Sequence, residues 1–267
     1  MEIVSFLYKN NRCSGVVKKL KTYVINLPKD VARRQNMEEV TGLLPYLDVE
    51  WVQAVYGKEL SEEEIEQRFD RKKYQRVYHR LPFSGEIGCT LSHYECYKRI
   101  LKSGEQTALI LEDDVSFIED SSLVNLLQKC VEFMEQDKPL ILLLWGDFFY
   151  TGDKIPFFDR YTLYKDYNAS STIAYLVNTS AAKIMLKTNR PFHVADDWFF
   201  YRCQGIHVMS LYPSVMNHLY DCFGTSIKDL ERSKTLIQIP LSTMEFKLYY
   251  TRIWALILGK LGIIKHL

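Results

Sequence analysis

A short apolar run that ends in three acidic residues is the feature that most constrains this chain. Residues 108–111 (ALIL) are all apolar, and Glu112, Asp113 and Asp114 follow directly. A run of this length predicts a strand buried in the centre of a sheet. Ligands of open α/β sheets bind in the crevice beyond the carboxyl ends of such strands. Three carboxylates in that crevice repel one another unless a cation lies between them, and hard divalent cations prefer oxygen ligands.

Two interpretations of the acidic triplet follow. In the first, the carboxylates hold a divalent cation that also binds the phosphate groups of a substrate. In the second, the triplet is a solvated turn that happens to follow a buried strand. The second is the commoner case for an isolated triplet, so other segments of the chain have to decide.

Strands and helices alternate along the rest of the chain. Apolar or β-branched runs predict strands, and apolar residues three or four apart predict helices. The predicted strands, besides the one before the triplet, are Thr22–Leu27, Val49–Val55, Pro139–Trp145, Ser171–Asn178 and Ile206–Leu211. The predicted helices are Val31–Val40, Leu60–Phe69 with Ser61 as its cap, Ser84–Lys102, Ser122–Glu135 and Thr179–Thr188. This order predicts an α/β fold with a mostly parallel central sheet covered by helices on both faces.

Composition excludes some classes of function. The chain has 267 residues, is 47% hydrophobic and 25% charged, and carries a formal net charge of +1. This balance is typical of an ordinary folded protein, and no overall positive field points to nucleic acid as a partner. The sequence contains neither GxGxxG nor GxxxxGK[ST], which argues against dinucleotide-binding and P-loop enzymes. With no apolar leader and no long uncharged apolar stretch, we expect a cytoplasmic protein without a transmembrane helix.

The cysteines and the basic segment each allow two interpretations. The six cysteines are scattered, which favours reduced thiols. Cys89, His93 and Cys96 share one helical face and could ligate zinc, but no fourth ligand is evident, so buried thiols are favoured. Residues 71–80 are strongly basic, and we expect a mobile solvated loop there rather than a guide for an anionic substrate. In the helix Ser84–Lys102, the predicted core-facing stripe consists of Ile87, Leu91, Tyr94 and Leu101.

The last residues differ from the rest of the chain. We expect a catalytic domain over residues 1–220 and a C-terminal extension over residues 221–267. Residues 221–245 are polar and are predicted to wrap around the domain or to be mobile. Residues 246–267 combine Trp254 and several aliphatic residues with basic flanks. Such a helix lies in a membrane interface or docks on its own domain, and the sequence favours neither.

Four segments together resemble glycosyltransferase family 25. They are YVINLPKDVARR (23–34), GEIGCTLSHYECYKRIL (85–101), ALILEDDV (108–115) and AYLVNTSAAKIML (174–186), and they occur in the order typical of the family. The family includes bacterial lipooligosaccharide galactosyltransferases and animal collagen galactosyltransferases. The resemblance implies a GT-A type nucleotide-sugar-binding fold, an inverting transfer reaction and a divalent cation, Mn²⁺ or Mg²⁺. It favours the metal interpretation of the acidic triplet.

The resemblance also implies roles for individual residues. The triplet matches the acidic metal motif of the family, and we assign Glu112 and Asp114 to the metal. The donor-binding set is Asn26, Arg33, Arg34, Ser92, His93 and Asp113. The candidates for the catalytic base are Asp196, Asp197 and Asp147, with Asp196 preferred. The family has a PVD-like element where this chain has VADD, so the added acid leaves open which of the first two residues does the chemistry.

The most specific function that the resemblance implies is transfer of galactose from UDP-galactose onto a lipooligosaccharide or lipopolysaccharide core, in β-linkage. The expected partners are a nucleotide sugar, a lipid-linked oligosaccharide acceptor and the cytoplasmic surface of the inner membrane, where the enzyme would be peripheral. UDP-glucose is the alternative donor. Two further alternatives are a metal-dependent phosphohydrolase and a non-enzymatic scaffold associated with the membrane.

Overall fold

The computed structural model describes residues 18–152, 154–219, 254, 257–261 and 263–267. The first strands are β1 (Leu20–Asn26), β2 (Leu47–Gln53), β3 (Thr107–Glu112), β4 (Val115–Phe117), β5 (Leu140–Leu143) and β6 (Phe148–Tyr150). They are followed by β7 (Ile155–Phe158), β8 (Tyr161–Ala169), β9 (Ala174–Asn178), β10 (His207–Tyr212), β11 (Met216–His218) and β12 (Lys265–His266). The helices are α1 (Val31–Gly42), α2 (Glu62–Arg68), α3 (Arg71–Tyr78), α4 (Ser84–Ser103), α5 (Leu123–Met134), α6 (Thr179–Met185) and α7 (Trp198–Cys203).

One large sheet organises the described residues. Its strand order is β12-β6-β8-β10-β5-β9-β3-β1-β2, with β7 paired to β8 at the side. The pairings give seven strands one direction, and β8, β9 and β12 the opposite one. The predicted α/β class with a mostly parallel central sheet is confirmed. The reversed β9 between β3 and β5 was not predicted, and neither were the strands β6 to β8.

The central strand β3 is buried on both faces, which explains its uninterrupted apolar run. Ala108 and Ile110 belong to a core that includes residues of α4, α6 and α7, whereas Leu109 and Leu111 face a second core with residues of α5. All four side chains are fully buried. Because successive side chains of a strand point to opposite faces, a strand between two layers of helices needs apolar residues at every position. The prediction of a buried central strand is confirmed.

Helix α4 has the predicted extent to within one residue. Its Ile87, Leu91 and Tyr94 are buried, as the stripe predicted, but Leu101 is 38% exposed, so that part of the prediction is wrong. His93 and Cys96 are also buried. The helix therefore presents a wide inner face to the core, which extends to the fully buried Ile100 in its last turn, whereas Leu101 lies outside this face.

The basic segment is a helix, so the predicted mobile loop is wrong. The Asp70 carboxylate accepts a hydrogen bond from the backbone N–H of Lys73 at 2.9 Å, which caps the first turn of α3. Tyr74 is fully buried, and its hydroxyl group donates a hydrogen bond to Glu86. The Tyr74 and Tyr78 rings stack at 4.4 Å between centroids. The aromatic residues in the segment are thus packing residues, and the charged residues between them occupy the outer face.

The described end of the chain docks on the sheet. Strand β12 pairs with β6, Leu267 and Phe148 exchange backbone hydrogen bonds, and Ile264 is buried. Docking is therefore confirmed for this end, whereas Trp254, Ile257 and Leu261 are exposed, and their contact with a membrane stays a prediction. The predicted wrapping segment 221–245 lies outside the described residues. Of the described helices, none has the length and apolar character needed to cross a bilayer.

A close approach between the loop after β2 and helix α4 depends on two glycines. A Cβ atom on Gly88 would lie 2.4 Å from the carbonyl oxygen of Val55 and 2.8 Å from the backbone nitrogen of Gly57. A Cβ atom on Gly57 would lie 1.8 Å from the carbonyl oxygen of Ser84. Only residues without a side chain let the loop lie this close to the helix.

We predict that Gly88→Ala destabilises the protein although it adds a helix-favouring residue. Alanine in place of a helical glycine normally stabilises by about 1 kcal/mol, whereas forcing a methyl group against backbone costs about 1–3 kcal/mol. The control is Gly42→Ala, because a Cβ atom there has nothing within 4 Å. Urea unfolding should give a lower free energy of unfolding for Gly88→Ala and an unchanged or higher one for Gly42→Ala. Equal values for the two variants would contradict the close approach.

Candidate active site

The acidic triplet lies at the carboxyl end of β3, where β1 runs parallel to it. The register pairs Ile25 with Glu112, so that Asn26 at the end of β1 stands beside the turn after β3. The Asn26 amide donates a hydrogen bond to Asp113 Oδ2 at 2.7 Å. Asp113 and Asp114 are only 7% and 8% exposed. The triplet is therefore not the solvated turn of the second interpretation.

Arg33 compensates the charge of the two aspartates. It extends from α1 and donates to Asp113 Oδ1 at 2.8 Å and to Asp114 Oδ2 at 3.0 Å. Burial raises the pKa of Asp113, and the bonds from Arg33 and Asn26 only partly offset this. Burial, followed by the charge of Glu112, raises the pKa of Asp114, with Arg33 acting in the opposite direction. One arginine does not fully neutralise two buried carboxylates.

Asp114 has an oxygen atom without a partner. Its Oδ1 is buried and has no hydrogen-bond partner among the described residues. Its Oδ2 lies 3.5 Å from Nε2 of His218, which is brought there because β11 pairs with β4. A buried carboxylate oxygen without a donor is costly and calls for an explanation, such as a bound cation. His218 was not among the predicted site residues, because the tertiary fold brings it to this place from a distant part of the chain.

Glu112 contacts helix α4 and the segment before β9. His93 Nε2 lies 3.3 Å from Glu112 Oε1, and the Thr172 hydroxyl donates to the same oxygen. Burial by itself raises the pKa of Glu112, but the interactions with His93 and Thr172 outweigh it and the pKa is lowered. His93 Nδ1 is hydrogen-bonded to the Tyr175 hydroxyl at 2.8 Å. His93 is thus a buried residue that contacts the acidic triplet, and its role in donor binding stays a prediction.

A cleft opens between α1, α4 and the ends of β1, β2 and β3. Its space amounts to about 710 Å³, a figure that includes the solvent at its open mouth. Its lining includes Asp30, Arg33, Tyr56, Lys58, Cys89, Ser92, His93, Glu112 and Asp113. Lys29 lies over the Tyr56 ring with its ammonium 3.3 Å from the ring centroid. Tyr56 was not predicted as a site residue, although an aromatic residue after a strand and before Gly57 could have been noticed.

Ser92 and Arg34, two of the predicted donor-binding residues, are held by contacts within the protein. The Ser92 hydroxyl donates to the Gly88 carbonyl at 2.7 Å and accepts from the Val55 backbone N–H at 2.8 Å, which ties the cleft loop to α4. Arg34 lies over the Trp51 ring at 4.1 Å and donates to Glu38 at 2.9 Å. The structure therefore brings Asn26, Arg33 and Asp113 together, joins His93 through Glu112, and directs Arg34 to another surface.

The adjacent acids of the VADD element have different surroundings. Asp197 is the N-cap of α7, where its Oδ1 accepts from the Phe200 backbone N–H at 2.9 Å and its Oδ2 from the Tyr78 hydroxyl. Asp196 Oδ2 accepts from the Ser171 backbone N–H at 3.3 Å, and burial raises the pKa of Asp196. Of the two, Asp197 is engaged in holding α7 and α3, whereas Asp196 has the fewer structural contacts.

The segment before β9 connects Asp196 to the triplet. Ser171 has a φ of 75°, in the left-handed region that is unusual for serine, and directs its N–H to Asp196. The next residue, Thr172, donates to Glu112. Asp147, the third candidate base, is exposed, and its backbone oxygen accepts from the Ser170 N–H at 3.0 Å. Neither Asp147 nor Asp196 is among the residues that line the cleft.

Comparison with known proteins identifies the family. The model of glycosyltransferase family 25, described as LPS biosynthesis protein, matches residues 19–200, which is more than half of the chain. The chain belongs to glycosyltransferase family 25. The resemblance found in the four sequence segments is confirmed, and the matched range contains every site residue described above except His218.

Animal members of glycosyltransferase family 25 are among the similar proteins. A glycosyltransferase 25 family member of Anopheles gambiae is 41% identical over 98 residues, which are 36% of this chain and 16% of that protein. Procollagen galactosyltransferase 1-A of Xenopus laevis is 30% identical over 178 residues, or 62% and 28% of the two chains. Procollagen galactosyltransferase 1 of Danio rerio is 32% identical over 128 residues, or 46% and 21%. This chain thus spans less than a third of the length of each of these relatives.

We predict that the two acids of the VADD element differ in their contribution to stability. Asp197→Ala removes the helix cap and the acceptor of the Tyr78 hydroxyl, and should lower the free energy of unfolding by about 1–3 kcal/mol. Asp196→Ala removes one weak hydrogen bond and should change it by less than about 1 kcal/mol. Urea unfolding followed by circular dichroism measures both. A larger loss for Asp196→Ala than for Asp197→Ala would be incompatible with these assignments.

Proposed function

We propose that this chain is an inverting, metal-dependent hexosyltransferase that uses a nucleotide sugar, most specifically UDP-galactose. The observation that carries the proposal is the acidic triplet, of which Glu112 and Asp113 line the cleft and Asp114 has a buried oxygen without a hydrogen-bond partner. Membership of family 25 supports glycosyl transfer, and the names of the procollagen galactosyltransferase relatives support galactose. UDP-glucose is the alternative donor. We also propose that the fold is of the GT-A type, since the carboxylates follow a central strand of a mixed sheet.

Asp114 offers an unpartnered oxygen to a divalent cation, although the ligand atoms of Asp114, Glu112 and His218 do not all lie within 4.8 Å of one another and would have to move closer to share it. The unpartnered Asp114 oxygen and the Glu112 carboxylate are oxygen donors of the kind that Mn²⁺ and Mg²⁺ prefer. His218, beside Asp114, adds an imidazole nitrogen, which Mn²⁺ accepts more readily than Mg²⁺. We assign Asp114 and Glu112 as ligands, with His218 as an additional one. Such a cation supplies a positive charge for the departing diphosphate and orients it.

The residues of the cleft have separate roles in binding the donor. Asn26 and Arg33 hold Asp113 in place, and the guanidinium of Arg33 adds positive charge at the end of the cleft where a diphosphate would lie. The Tyr56 ring offers a flat surface for a nucleotide base. The cleft is thus charged at the triplet and aromatic at the loop after β2, an arrangement that suits a nucleotide with a diphosphate.

Asp196 is the residue that we assign as the base. In an inverting transfer the acceptor oxygen bonds to the anomeric carbon, the hydroxyl proton passes to a carboxylate, and the bond to the diphosphate oxygen breaks to release UDP. A positioned base contributes roughly 10²–10⁴-fold to such a step. Asp196 is held by the Ser171 N–H and is connected to Glu112 through Thr172, whereas Asp197 caps a helix. An α-linked donor then gives a β-linked product.

For the acceptor we propose a lipooligosaccharide or lipopolysaccharide core, reached at the cytoplasmic surface of the inner membrane. The description of the family model as an LPS biosynthesis protein supports this class of acceptor. The exposed Trp254, Ile257 and Leu261, next to the exposed Lys260, support a peripheral contact with a membrane interface.

We predict that Asp114→Asn abolishes the cooperation between the cation and the donor. With wild type, UDP-galactose at 100 times its Kd in the presence of Mn²⁺ should raise Tm by about 5 °C or more, and each ligand alone by less. Asp114→Asn should lose this joint shift and slow transfer by about 100-fold or more, because a metal ligand is gone. The control is Asp137→Asn, an exposed acid in the connection between α5 and β5.

The same thermal-shift measurements separate the donors and the competing functions. UDP-glucose and UDP-N-acetyl sugars should give smaller shifts than UDP-galactose. If none of the nucleotide sugars raised Tm, with or without Mn²⁺, the result would contradict the proposal and favour a scaffold. Release of phosphate from simple esters without a sugar acceptor would favour a phosphohydrolase.

We predict that Asp196→Asn lowers kcat by roughly 10²–10⁴-fold and leaves the donor thermal shift unchanged, since a base acts on the acceptor. Burial raises the pKa of Asp196 above its usual value of 3.8, and a base works only when ionised. The rate of the wild-type enzyme should therefore fall as the pH drops through this raised pKa, and the fall should be absent from the residual activity of Asp196→Asn. If this fall in rate at low pH were instead absent from Asp147→Asn, Asp147 and not Asp196 would be the base.

A further inference from the structure

Cys89 has no role in the proposed transfer reaction, yet it lies in the cleft beside two of the site residues. Cys89 and His93 are one turn apart on α4, and Glu112 faces them from the end of β3. One ligand atom from each of the three residues, a sulfur, a ring nitrogen and a carboxylate oxygen, lies within 4.8 Å of the others. All three residues line the cleft. The set differs from the Cys89, His93 and Cys96 set considered from the sequence, because the buried Cys96 is replaced by Glu112.

This set offers a sulfur, a nitrogen and an oxygen atom, whereas Asp114 offers only carboxylate oxygens. Thiolate, imidazole and carboxylate are the ligands that Zn²⁺ takes in proteins, at 2.0–2.3 Å, so its tetrahedral ligands stand about 3.3–3.8 Å apart. The three atoms, at up to 4.8 Å from one another, need to close in by about 1.5 Å at most. Three protein ligands leave a fourth position, and this position faces the open cleft. Such a site exchanges its metal with solvent instead of burying it permanently.

Two further hydrogen bonds hold the ligands in orientation. The Tyr175 hydroxyl lies 2.8 Å from His93 Nδ1 and 2.9 Å from the Tyr97 hydroxyl. With a metal bound at Nε2, the imidazole proton is on Nδ1, so that His93 donates to Tyr175 and Tyr175 donates to Tyr97. The Thr172 hydroxyl orients Glu112. Ligating histidines in proteins almost always have such a partner on the second ring nitrogen.

We propose that Cys89, His93 and Glu112 form a binding site for Zn²⁺ that opens into the cleft. On binding, the Cys89 thiol releases its proton to solvent, His93 binds through Nε2 as a neutral imidazole, and Glu112 binds as a carboxylate. Water fills the fourth position. Zn²⁺ binds N, O and S ligands more tightly than Mn²⁺ does, so this site takes Zn²⁺ in the presence of Mn²⁺.

Glu112 belongs to this site and to the cation site with Asp114. This consequence rests on the proposed function: Zn²⁺ held by Cys89 and His93 withdraws Glu112 from Mn²⁺, and so acts as an inhibitor of transfer. The presence of the zinc site itself does not depend on enzymatic activity.

The test uses the full chain, freed of metals with a chelator, and Co²⁺ as a spectroscopic probe. Cobalt bound to a thiolate gives a charge-transfer absorption in the near ultraviolet that carboxylates and imidazoles do not. We expect wild type to develop this band up to one equivalent of Co²⁺, and added Zn²⁺ to remove it. Cys89→Ser should have no band, and the matched variant Cys203→Ser, at a partly exposed cysteine on α7, should keep it. No band in wild type, a band in Cys89→Ser or its loss in Cys203→Ser would overturn the proposal.

A second variant keeps the test independent of any folding defect in Cys89→Ser. Tyr175→Phe retains all three ligands and removes only the hydroxyl that holds His93. We expect its Co²⁺ band to keep its shape while the Kd for Co²⁺ rises by about 10- to 100-fold. An unchanged Kd in this variant would contradict ligation through His93.

Competition with Mn²⁺ separates this proposal from the proposed function. In wild type, Mn²⁺ should raise the apparent Kd for Co²⁺, and Asp114→Asn should reduce that effect because Mn²⁺ loses a ligand. If the band forms but Mn²⁺ does not compete, the zinc site stands and the assignment of Glu112 to Mn²⁺ fails. If Mn²⁺ and the donor bind together but no band forms, the zinc site fails and the proposed function stands.

Discussion

The concentration of negative charge at the end of β3 is the constraint on which the rest of the site depends. Like charges in a buried place repel strongly because little water screens them. Different elements therefore supply the partners of these carboxylates. Asn26 of β1 and Arg33 of α1 contact Asp113, and His93 of α4 contacts Glu112. Asp114 shares Arg33 and keeps one oxygen without a partner. The compensation is incomplete at this one atom, which is where a cation has the most to neutralise.

Glu112 and Asp114 follow the same strand but contact different elements of the fold. Glu112 contacts α4, whereas Asp114 lies beside His218 of β11. Helix α4 comes close enough for this contact in part because Gly57 and Gly88 let the loop after β2 lie against its backbone. The packing of this loop against α4 thus helps to bring His93 close to Glu112. The GEIG and LSH segments of the sequence both lie on this helix.

Hydrogen bonding distinguishes the adjacent aspartates at 196 and 197. Asp197 is the N-cap of a short helix and accepts from Tyr78, so its carboxylate stabilises the junction of α7 with α3. Asp196 is buried, has a raised pKa and is bonded to the N–H of Ser171, whose backbone is in an unusual conformation. A carboxylate held by few contacts near the triplet suits proton transfer better than one engaged in capping a helix.

Local pattern was sufficient for much of this protein. The apolar run before Glu112, the periodicity of α4 and the alternation of strands and helices predicted the fold class, because burial between two layers of helices demands apolar residues at each strand position. Five of the predicted site residues, Arg33, Ser92, His93, Glu112 and Asp113, line the cleft. Only the tertiary structure decided the reversed direction of β9, the packing of Tyr74 in α3, the placing of Arg34 on Trp51 and the arrival of His218 and Tyr175 at the acids. These depend on contacts between residues far apart in the chain, and a periodic pattern records only which face of an element is buried and not what it is buried against.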